Sequence, residues 1–179
     1  MQRIAQFEMV SLEQFTKDFL KIFPESNEAD GATLYKHIKL PLRATKGSAG
    51  YDFFALYGFT LHPGETIMVP TGIRAKMDEG WVLELYPRSG LGFKFRMQLN
   101  NTVGIIDSDY YNSENEGHIF AKITNDSNEG KILRVNSGGA FMQGVFLPFG
   151  ITTDDDADGE RKGGFGSTSN GLLGNNFLN

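Results

Sequence analysis

The chain has 179 residues, of which 40% are hydrophobic and 22% are charged, a composition typical of a soluble globular protein with one sizeable domain. It contains no cysteine, which excludes disulfides, thiolate metal sites and a cysteine nucleophile. The net charge of -5 argues against a general nucleic-acid binder, and no apolar run is long enough to predict a membrane span. The N-terminus lacks a signal-peptide pattern, so we expect a cytoplasmic protein.

Residues 1–33 predict an N-terminal extension with a short strand and a helix. Residues 7–10 are mostly apolar, and Ser11 fits an N-cap with Gln14 placed to complete a capping box. Hydrophobic residues then recur every three or four positions, at Leu12, Phe15, Phe19 and Phe23. This spacing predicts an amphipathic helix of about three turns that ends before Pro24 and packs against the core or another subunit. A partner-binding helix is the alternative. Residues 24–33 predict a polar loop.

The pattern changes after residue 33. Short runs rich in β-branched and aromatic residues alternate with Gly, Pro, Asn and Asp. Such runs predict an all-β sandwich, barrel or jelly roll over residues 34–153. The predicted strands are residues 34–40, 51–57, 66–70, 81–86, 102–106, 118–124, 131–135 and 140–148. Residues 154–179 form a separate tail, first acidic and then rich in glycine, which we expect to be mobile unless it docks.

The segment 102–110 is the most informative part of the chain. Its apolar first half predicts a buried strand, yet Asp107 and Asp109 follow directly, and Tyr110 comes next. A buried strand avoids carboxylates unless it is ending or serving a site. Gly104 would allow another backbone or a ligand to approach closely. An ordinary turn at the end of a strand is the competing interpretation.

Two further segments combine glycine with a charged side chain. In residues 87–92, Arg88 offers a planar donor fork suited to phosphate, Ser89 adds a hydroxyl and Gly90 frees backbone amides to line an anion site. A structural pair between Arg88 and a carboxylate is the alternative. Residues 47–52 hold two glycines and end in Asp52, which is also compatible with a simple turn.

The last two candidate segments lie near the C-terminus. In residues 138–144 the amide of Gln143 stands in an apolar strand and must find partners in the protein or in a ligand. Residues 161–168 combine two cations, three glycines and two hydroxyls around Phe165. They could form a flexible phosphate clamp or a disordered polar tail, but they do not match a Walker loop.

Metal-binding patterns are weak. Four residues match positions of a calcium-binding EF-hand loop: Asp154, Asp156, Asp158 and Gly159. Phe165 stands where that loop requires a bidentate Glu, and no helix pattern flanks it, so a solvated acidic loop is favoured. The three histidines are scattered, at His37, His62 and His118.

Taken together, the five segments resemble the five ordered motifs of the trimeric dUTPases (deoxyuridine triphosphate nucleotidohydrolases). The matching residues are 49–52, 87–90, 104–110, 141–143 and 163–168. The third and fifth motifs together are specific, and all five occur in order. The resemblance implies a distorted jelly roll, the β-clip of that family, with one added N-terminal helix. It also implies a homotrimer with active sites between subunits that cleaves dUTP to dUMP and pyrophosphate with Mg²⁺.

The resemblance assigns roles to the third motif. Asp107 would orient and activate the water that attacks the α-phosphorus, because a carboxylate is a natural base for such a water. Tyr110 would pack under the deoxyribose and exclude a ribose 2′-hydroxyl. The hairpin backbone would bind the uracil edge and exclude the methyl group of thymine. The residues assigned to this hairpin site are Asn101, Gly104 and Ile106.

The resemblance also implies a phosphate site. Its residues would be Arg88, Ser89, Gly90 and Gln143, with Arg161 on the terminal phosphate. From the tail, Phe165 would cover the base. The other tail residues assigned to substrate are Gly166, Ser167 and Thr168. Asp52 would reach Mg²⁺ only through water, and the three phosphates would be its main ligands.

The chain departs from the family pattern in three places. Tyr110 is followed by an extended turn, residues 111–116, before Gly117. Ala140 stands where the fourth motif commonly has Arg. Arg161 precedes Phe165 by four residues, where many members have five.

Two other functions remain open. A dCTP deaminase, or a bifunctional deaminase–dUTPase, would need a Glu in a pattern like Gly-x-Ile-x-x-Glu, but Gly117 is followed five residues later by Lys122. A regulatory protein could contact a protein partner through residues 11–22, 111–116 or 154–158. The retained Asp107 and Arg88 favour catalysis. We expect neither a nucleic acid nor a membrane as partner.

Overall fold

The computed structural model describes residues 2–159, 161 and 163. The strands are β1 (Ala5–Met9), β2 (Tyr51–Phe54), β3 (Phe59–Leu61), β4 (Thr66–Pro70), β5 (Ile73–Met77), β6 (Trp81–Pro87), β7 (Met97–Leu99), β8 (Gly104–Ile106), β9 (Phe120–Asn125), β10 (Leu133–Val135) and β11 (Ala140–Pro148). The α-helices are α1 (Leu12–Ile22), α2 (Glu28–Tyr35) and α3 (Ser89–Phe95), and a 3-10 helix covers Ser108–Asn112. Within these residues, no helix is both long and apolar enough to cross a membrane.

The strands pair antiparallel in four small sheets. A four-stranded sheet has the order β2-β11-β6-β8, and a three-stranded sheet has the order β4-β9-β7. Two ribbons, β1-β5 and β10-β3, complete the fold. One apolar core joins side chains from all four sheets, among them Phe7, Leu83, Ile123 and Leu133. This architecture confirms the predicted all-β, jelly-roll-like fold.

The sequence located most strands but missed three. β4 and β11 have the predicted bounds, whereas β3, β5 and β7 were not predicted. The sequence of β5 did contain a strand signal, because apolar and charged residues alternate along its five positions and the apolar ones face the core. In the structure β5 pairs with β1 from Ala5↔Met77 to Met9↔Ile73. A tight turn joins β3 to β4, with Gly64 at φ +85°.

The polar loop predicted over residues 24–33 and the strand predicted over 34–40 are wrong, because α2 occupies Glu28–Tyr35. A capping box starts this helix. The Asn27 side chain accepts from the Ala29 and Asp30 amides at 2.9 and 3.1 Å, and the Asn27 amide donates to the Asp30 carboxylate at 3.0 Å. The N-terminal region therefore contains two helices, α1 and α2, where the sequence predicted one.

Helix α1 begins as predicted, but its cap has an unexpected partner. The Gln14 amide donates to Ser11 Oγ at 3.0 Å, which confirms the N-cap. The reciprocal bond expected from the Gln14 side chain is absent, since that side chain donates to Asp18 at 2.7 Å. Glu116 takes its place and accepts from both the Ser11 amide and the Ser11 hydroxyl at 2.7 Å. The extended turn 111–116 thus caps α1.

The same turn also contacts β1 through a hydrogen bond. The Tyr111 hydroxyl donates to Glu8 Oε2 at 2.7 Å, and the Arg74 guanidinium lies 4.3 Å from the centroid of the Tyr111 ring. Arg74 also pairs with Glu8 at 2.9 Å. The N-terminal extension and the long turn therefore hold each other in place.

A buried polar pair joins α1 to the strand that follows the turn. His118 Nδ1 lies 2.8 Å from Asp18 Oδ2, and His118 Nε2 accepts from the Gly72 amide at 2.9 Å. Because Nε2 is an acceptor, the ring proton lies on Nδ1 and is donated to Asp18. Burial opposes the charge of Asp18, but the hydrogen bonds from His118 and Gln14 outweigh it and lower the pKa of this carboxyl.

Glu116→Gln should weaken the attachment of α1. Burial opposes ionisation of Glu116, but the two Ser11 hydrogen bonds lower its pKa below the ordinary 4.5. A lowered pKa stabilises the folded state above the ordinary value, and this stabilisation is lost as the pH falls through the lowered one. We expect Glu116→Gln to reduce the free energy of unfolding by about 1 kcal/mol at pH 7, with the difference shrinking below pH 4.5.

Denaturant titrations of the wild type and two variants at pH 7 and pH 3.5 would measure this effect. Glu114→Gln is the matched control, since Glu114 is an exposed carboxylate in the same turn. A loss in Glu116→Gln that is equally large at both pH values would contradict the assigned role of its charge.

Candidate active site

Three residues predicted to bind phosphate or metal lie together at the end of β6. Arg88 follows this strand, and its Nε lies 3.1 Å from Asp52 Oδ1 on β2. Gln143 on β11 pairs with Tyr86, and its side-chain amide donates to the Pro87 carbonyl at 3.3 Å. The structural pair of Arg88 with a carboxylate is therefore present. Because the Arg88 side chain is still 43% exposed, the pair orients a cation that solvent can reach.

Residues 87–92 contain the start of α3. Arg88 is its N-cap residue, and the exposed Ser89 and Gly90 form its first turn. The first amides of a helix have no intrahelical acceptor, and the helix dipole favours negative charge there. Ser89 and Gly90 thus lie beside the exposed cation of Arg88 at a position suited to an anion.

The third motif forms a second group of polar residues. β8 ends at Ile106, and Asp107 is the N-cap residue of the 3-10 helix that carries Tyr110. The Asp107 side chain makes no capping hydrogen bond and is 48% exposed. Ile106 is buried in the core. At Gly104 the close neighbour is Leu85, whose side chain would lie 3.0 Å from an added Cβ, so this glycine serves packing between strands.

Arg161 lies on the third motif. Its Nε is 2.8 Å from Asp109 Oδ1, its Nη2 contacts Asp107 Oδ2, and its guanidinium lies 5.8 Å from the centroid of the Tyr110 ring. The sequence assigned Arg161 to the terminal phosphate and gave no sign of this contact with two carboxylates. The other predicted tail residues, Phe165, Gly166, Ser167 and Thr168, lie outside the described residues.

Tyr110 is held by its hydroxyl group. The hydroxyl donates to the His118 carbonyl at 2.8 Å and accepts from the Asn115 side chain at 2.8 Å. Burial raises the pKa of this phenol to about 12, so it is protonated at neutral pH. The buried ring is therefore held in one orientation, three residues after Asp107.

Within one chain, the two groups are far apart. Ile106 pairs with Leu83 on β6, and Leu83 lies five residues before Arg88. At roughly 3.3 Å per residue, this places the Asp107 end of β8 about 17 Å from Arg88. One substrate would not contact both groups of a single chain, so the chain presents two half-sites, one around Arg88 and one around Asp107.

The described residues offer little to a metal ion. No group of three or more His, Cys, Asp and Glu side chains among them could hold one. Asp52 is a single carboxylate beside Arg88 and fits at most a contact through water. Any Mg²⁺ at this position would need oxygen ligands from a bound phosphate chain.

A cavity of about 510 Å³ lies next to Asn101, the remaining residue predicted to bind the base. Phe120 and Lys122 of β9 line it, and so do Lys21 and Ile22 of α1. Sequence reasoning did not connect α1 with the site. A signal in the sequence was Asp18, a carboxylate that lies three residues after Phe15 and directly before Phe19 in the predicted helix.

An all-β fold with five short motifs in this order defines the class of protein. The dUTPase family model matches residues 36–168, and the chain belongs to this family. The deoxyuridine 5'-triphosphate nucleotidohydrolase of Lactococcus lactis is 43% identical over 141 residues, which cover 76% of this chain and 93% of that protein. The corresponding protein of Hahella chejuensis is 41% identical over 143 residues, covering 75% and 90%.

A solved structure supports the assignment. The dUTPase of Streptococcus mutans is 33% identical with a TM-score of 0.59, covering 82% of this chain and 97% of that one. The family match begins at residue 36 and therefore leaves out β1, α1 and α2.

Proposed function

We propose that the protein hydrolyses dUTP to dUMP and pyrophosphate by in-line attack of water on the α-phosphorus, with Mg²⁺. The observation that carries the proposal is the position of Asp107, a half-exposed carboxylate fixed between a buried strand and the helix of Tyr110. Asp107 accepts the proton of the attacking water. Tyr110 packs against the deoxyribose.

Arg161 changes partners when substrate binds. Without substrate it contacts Asp107 and Asp109. A triphosphate offers the guanidinium a stronger bidentate partner, so Arg161 moves to the terminal phosphate and leaves Asp107 free to hold the water. Phe165 of the tail, which lies outside the described residues, would then cover the base.

The phosphate chain binds at the half-site of Arg88, Ser89, Gly90 and Gln143. Mg²⁺ bound there would neutralise phosphate charge, and Asp52 would reach it through water. The pair between Asp52 and Arg88 supports this arrangement, since it places one cation and one carboxylate at the same exposed position.

The active unit is a homotrimer with each site shared between subunits. Two observations support this proposal. The half-sites of one chain are separated by about 17 Å along β6. In addition, alternate residues at the end of β11 and just beyond expose apolar side chains, Leu147 at 38%, Phe149 at 51% and Ile151 at 73%. An apolar row of this kind is suited to contact with another subunit.

The two other functions receive no support from the structure. Lys122, which stands where a deaminase has its Glu, is a cation that lines the cavity beside Asn101. The carboxylate of Asp18 in the same cavity is engaged with Gln14 and His118. Helix α1 and the turn 111–116 are engaged with each other through Glu116 and Ser11, which reduces the surface they offer to a protein partner.

Product analysis tests the proposed function. The purified protein would be incubated with Mg²⁺ and, in separate reactions, dUTP, dCTP, dTTP and UTP, and the products resolved by chromatography. We expect selective conversion of dUTP to dUMP and pyrophosphate. Formation of a uracil nucleotide from dCTP would establish deamination, and no conversion of any of the four would overturn the enzymatic function.

A further inference from the structure

We propose that helix α1 forms one wall of the pocket that receives the uracil and sugar of dUTP, and that Ile22 is a residue that determines how well this part of the nucleotide fits. The proposal rests on the proposed function. It deepens it by assigning substrate contact to a segment that precedes residue 36, where the family match begins.

The cavity has the size and character of a small-molecule site. Its volume of about 510 Å³ suits a nucleoside. Ile22 and Phe120 provide apolar surface, and Asn101 and Lys122 add polar groups. A pyrimidine base presents two apolar faces and a polar edge, so this combination matches its chemistry.

The cavity lies where the chain passes from one sheet to another. β7 pairs with β9 as far as Leu99↔Ile123, whereas β8 pairs with β6 in the other sheet. The connection between them is held by a bond from the Asn100 amide to the Lys122 carbonyl at 2.9 Å. It also contains Thr102 at φ +67°, an unusual conformation for a β-branched residue. A strained connection that borders a cavity is a common feature of binding sites.

Hydrogen bonds tie the position of α1 to Tyr110. Asp18 of α1 lines the cavity and accepts from His118, and the His118 carbonyl accepts from the Tyr110 hydroxyl. Asn115, which also lines the cavity, donates to the same hydroxyl. Asp18 of α1 and Tyr110, the residue proposed to pack against the sugar, therefore belong to one hydrogen-bond network. Asn115 of the extended turn is also part of this network.

The test compares Ile22→Ala with Leu20→Ala. Both residues are half-buried and close the last turn of α1, but Leu20 faces a surface groove with Leu12 and Thr16 instead of the cavity. Loss of apolar contact with a bound base in a pocket costs roughly tenfold or more in affinity. We expect Ile22→Ala to raise KM for dUTP about tenfold with kcat nearly unchanged, and Leu20→Ala to leave both constants unchanged.

Calorimetric titration with dUMP and with pyrophosphate separates the base pocket from the phosphate site. Ile22→Ala should bind dUMP about tenfold more weakly and pyrophosphate as tightly as the wild type. Equal dUMP affinities in all three proteins, or equal losses of affinity in both variants, would contradict the proposal that α1 lines the pocket. If Ile22→Ala fails to fold by circular dichroism, Ile22→Val replaces it, with an expected loss of about threefold.

The titration also distinguishes this proposal from the proposed function. A wild-type protein that binds dUMP but does not hydrolyse dUTP would contradict the proposed function. In that case, weaker dUMP binding by Ile22→Ala, but not by Leu20→Ala, would still support the contact between α1 and the nucleotide. A wild-type protein that hydrolyses dUTP but binds no dUMP would overturn the proposed role of α1 alone.

Discussion

Replacing Asp107 with Asn should lower kcat for dUTP by about 10²- to 10⁴-fold, the range that a positioned general base contributes. Asn keeps the shape of Asp and can still orient the water, but it cannot accept a proton. The Asp107 side chain makes no capping hydrogen bond to the 3-10 helix, so the fold should be preserved. Steady-state kinetics, dUTP binding under non-turnover conditions and thermal unfolding would measure the three effects separately.

Asp109→Asn is the matched control for this variant. Both carboxylates contact Arg161, and they are similarly exposed, at 48% for Asp107 and 54% for Asp109. Only Asp107 is assigned the role of base, so Asp109→Asn should keep kcat within about tenfold of the wild type. Near-normal turnover in Asp107→Asn, or an equal loss in both variants, would remove Asp107 from this role.

Two inactive variants should restore activity when they are mixed. Arg88→Ala damages the phosphate half-site and Asp107→Asn damages the water half-site. Sites shared between neighbouring subunits would combine an intact Arg88 from one chain with an intact Asp107 from another. Every trimer that contains both variants then has one intact site out of three, so mixed trimers should recover roughly a third of the wild-type activity.

The mixture would be prepared by co-expression with two different tags and purified through both. Mixing Asp107→Asn with the double variant Arg88→Ala/Asp107→Asn is the control, since no site could then contain Asp107. Activity no higher than in this control would show that each site lies within one chain, and would contradict the shared arrangement.

Short-range patterns in the sequence predicted much of the fold. The spacing of Phe15 and Phe19 located α1, because a helix buries residues that recur at its own period. The capping box of Asn27 and Asp30 was also readable, yet the polar composition of that stretch concealed α2. Both outcomes depend on residues within one helical turn of each other.

Contacts between distant residues could not be predicted in the same way. Ser11 and Glu116 are 105 residues apart, and Asp18 and His118 are 100 residues apart. Nothing in either local sequence specifies the partner, because the pairing depends on how β1 and β9 are placed by the sheets. The role of the turn 111–116 and the link from α1 to Tyr110 therefore required the structure.

The same contrast between short-range patterns and distant contacts applies to the candidate site. The order of the motifs identified Arg88, Asp107, Tyr110 and Gln143 as candidates, since these residues lie in short characteristic segments. It did not predict that Arg161 contacts Asp107 and Asp109, or that Gly104 packs closely against the side chain of Leu85. Those features depend on which side chains the fold brings within a few ångströms.

Hydrolysis of dUTP in ¹⁸O-labelled water tests most directly whether water attacks the α-phosphorus. The products would be separated and their masses measured after a single turnover. Attack at the α-phosphorus, with Asp107 holding the water, predicts one ¹⁸O atom in dUMP and none in pyrophosphate. Label in pyrophosphate, or formation of dUDP and phosphate, would contradict it.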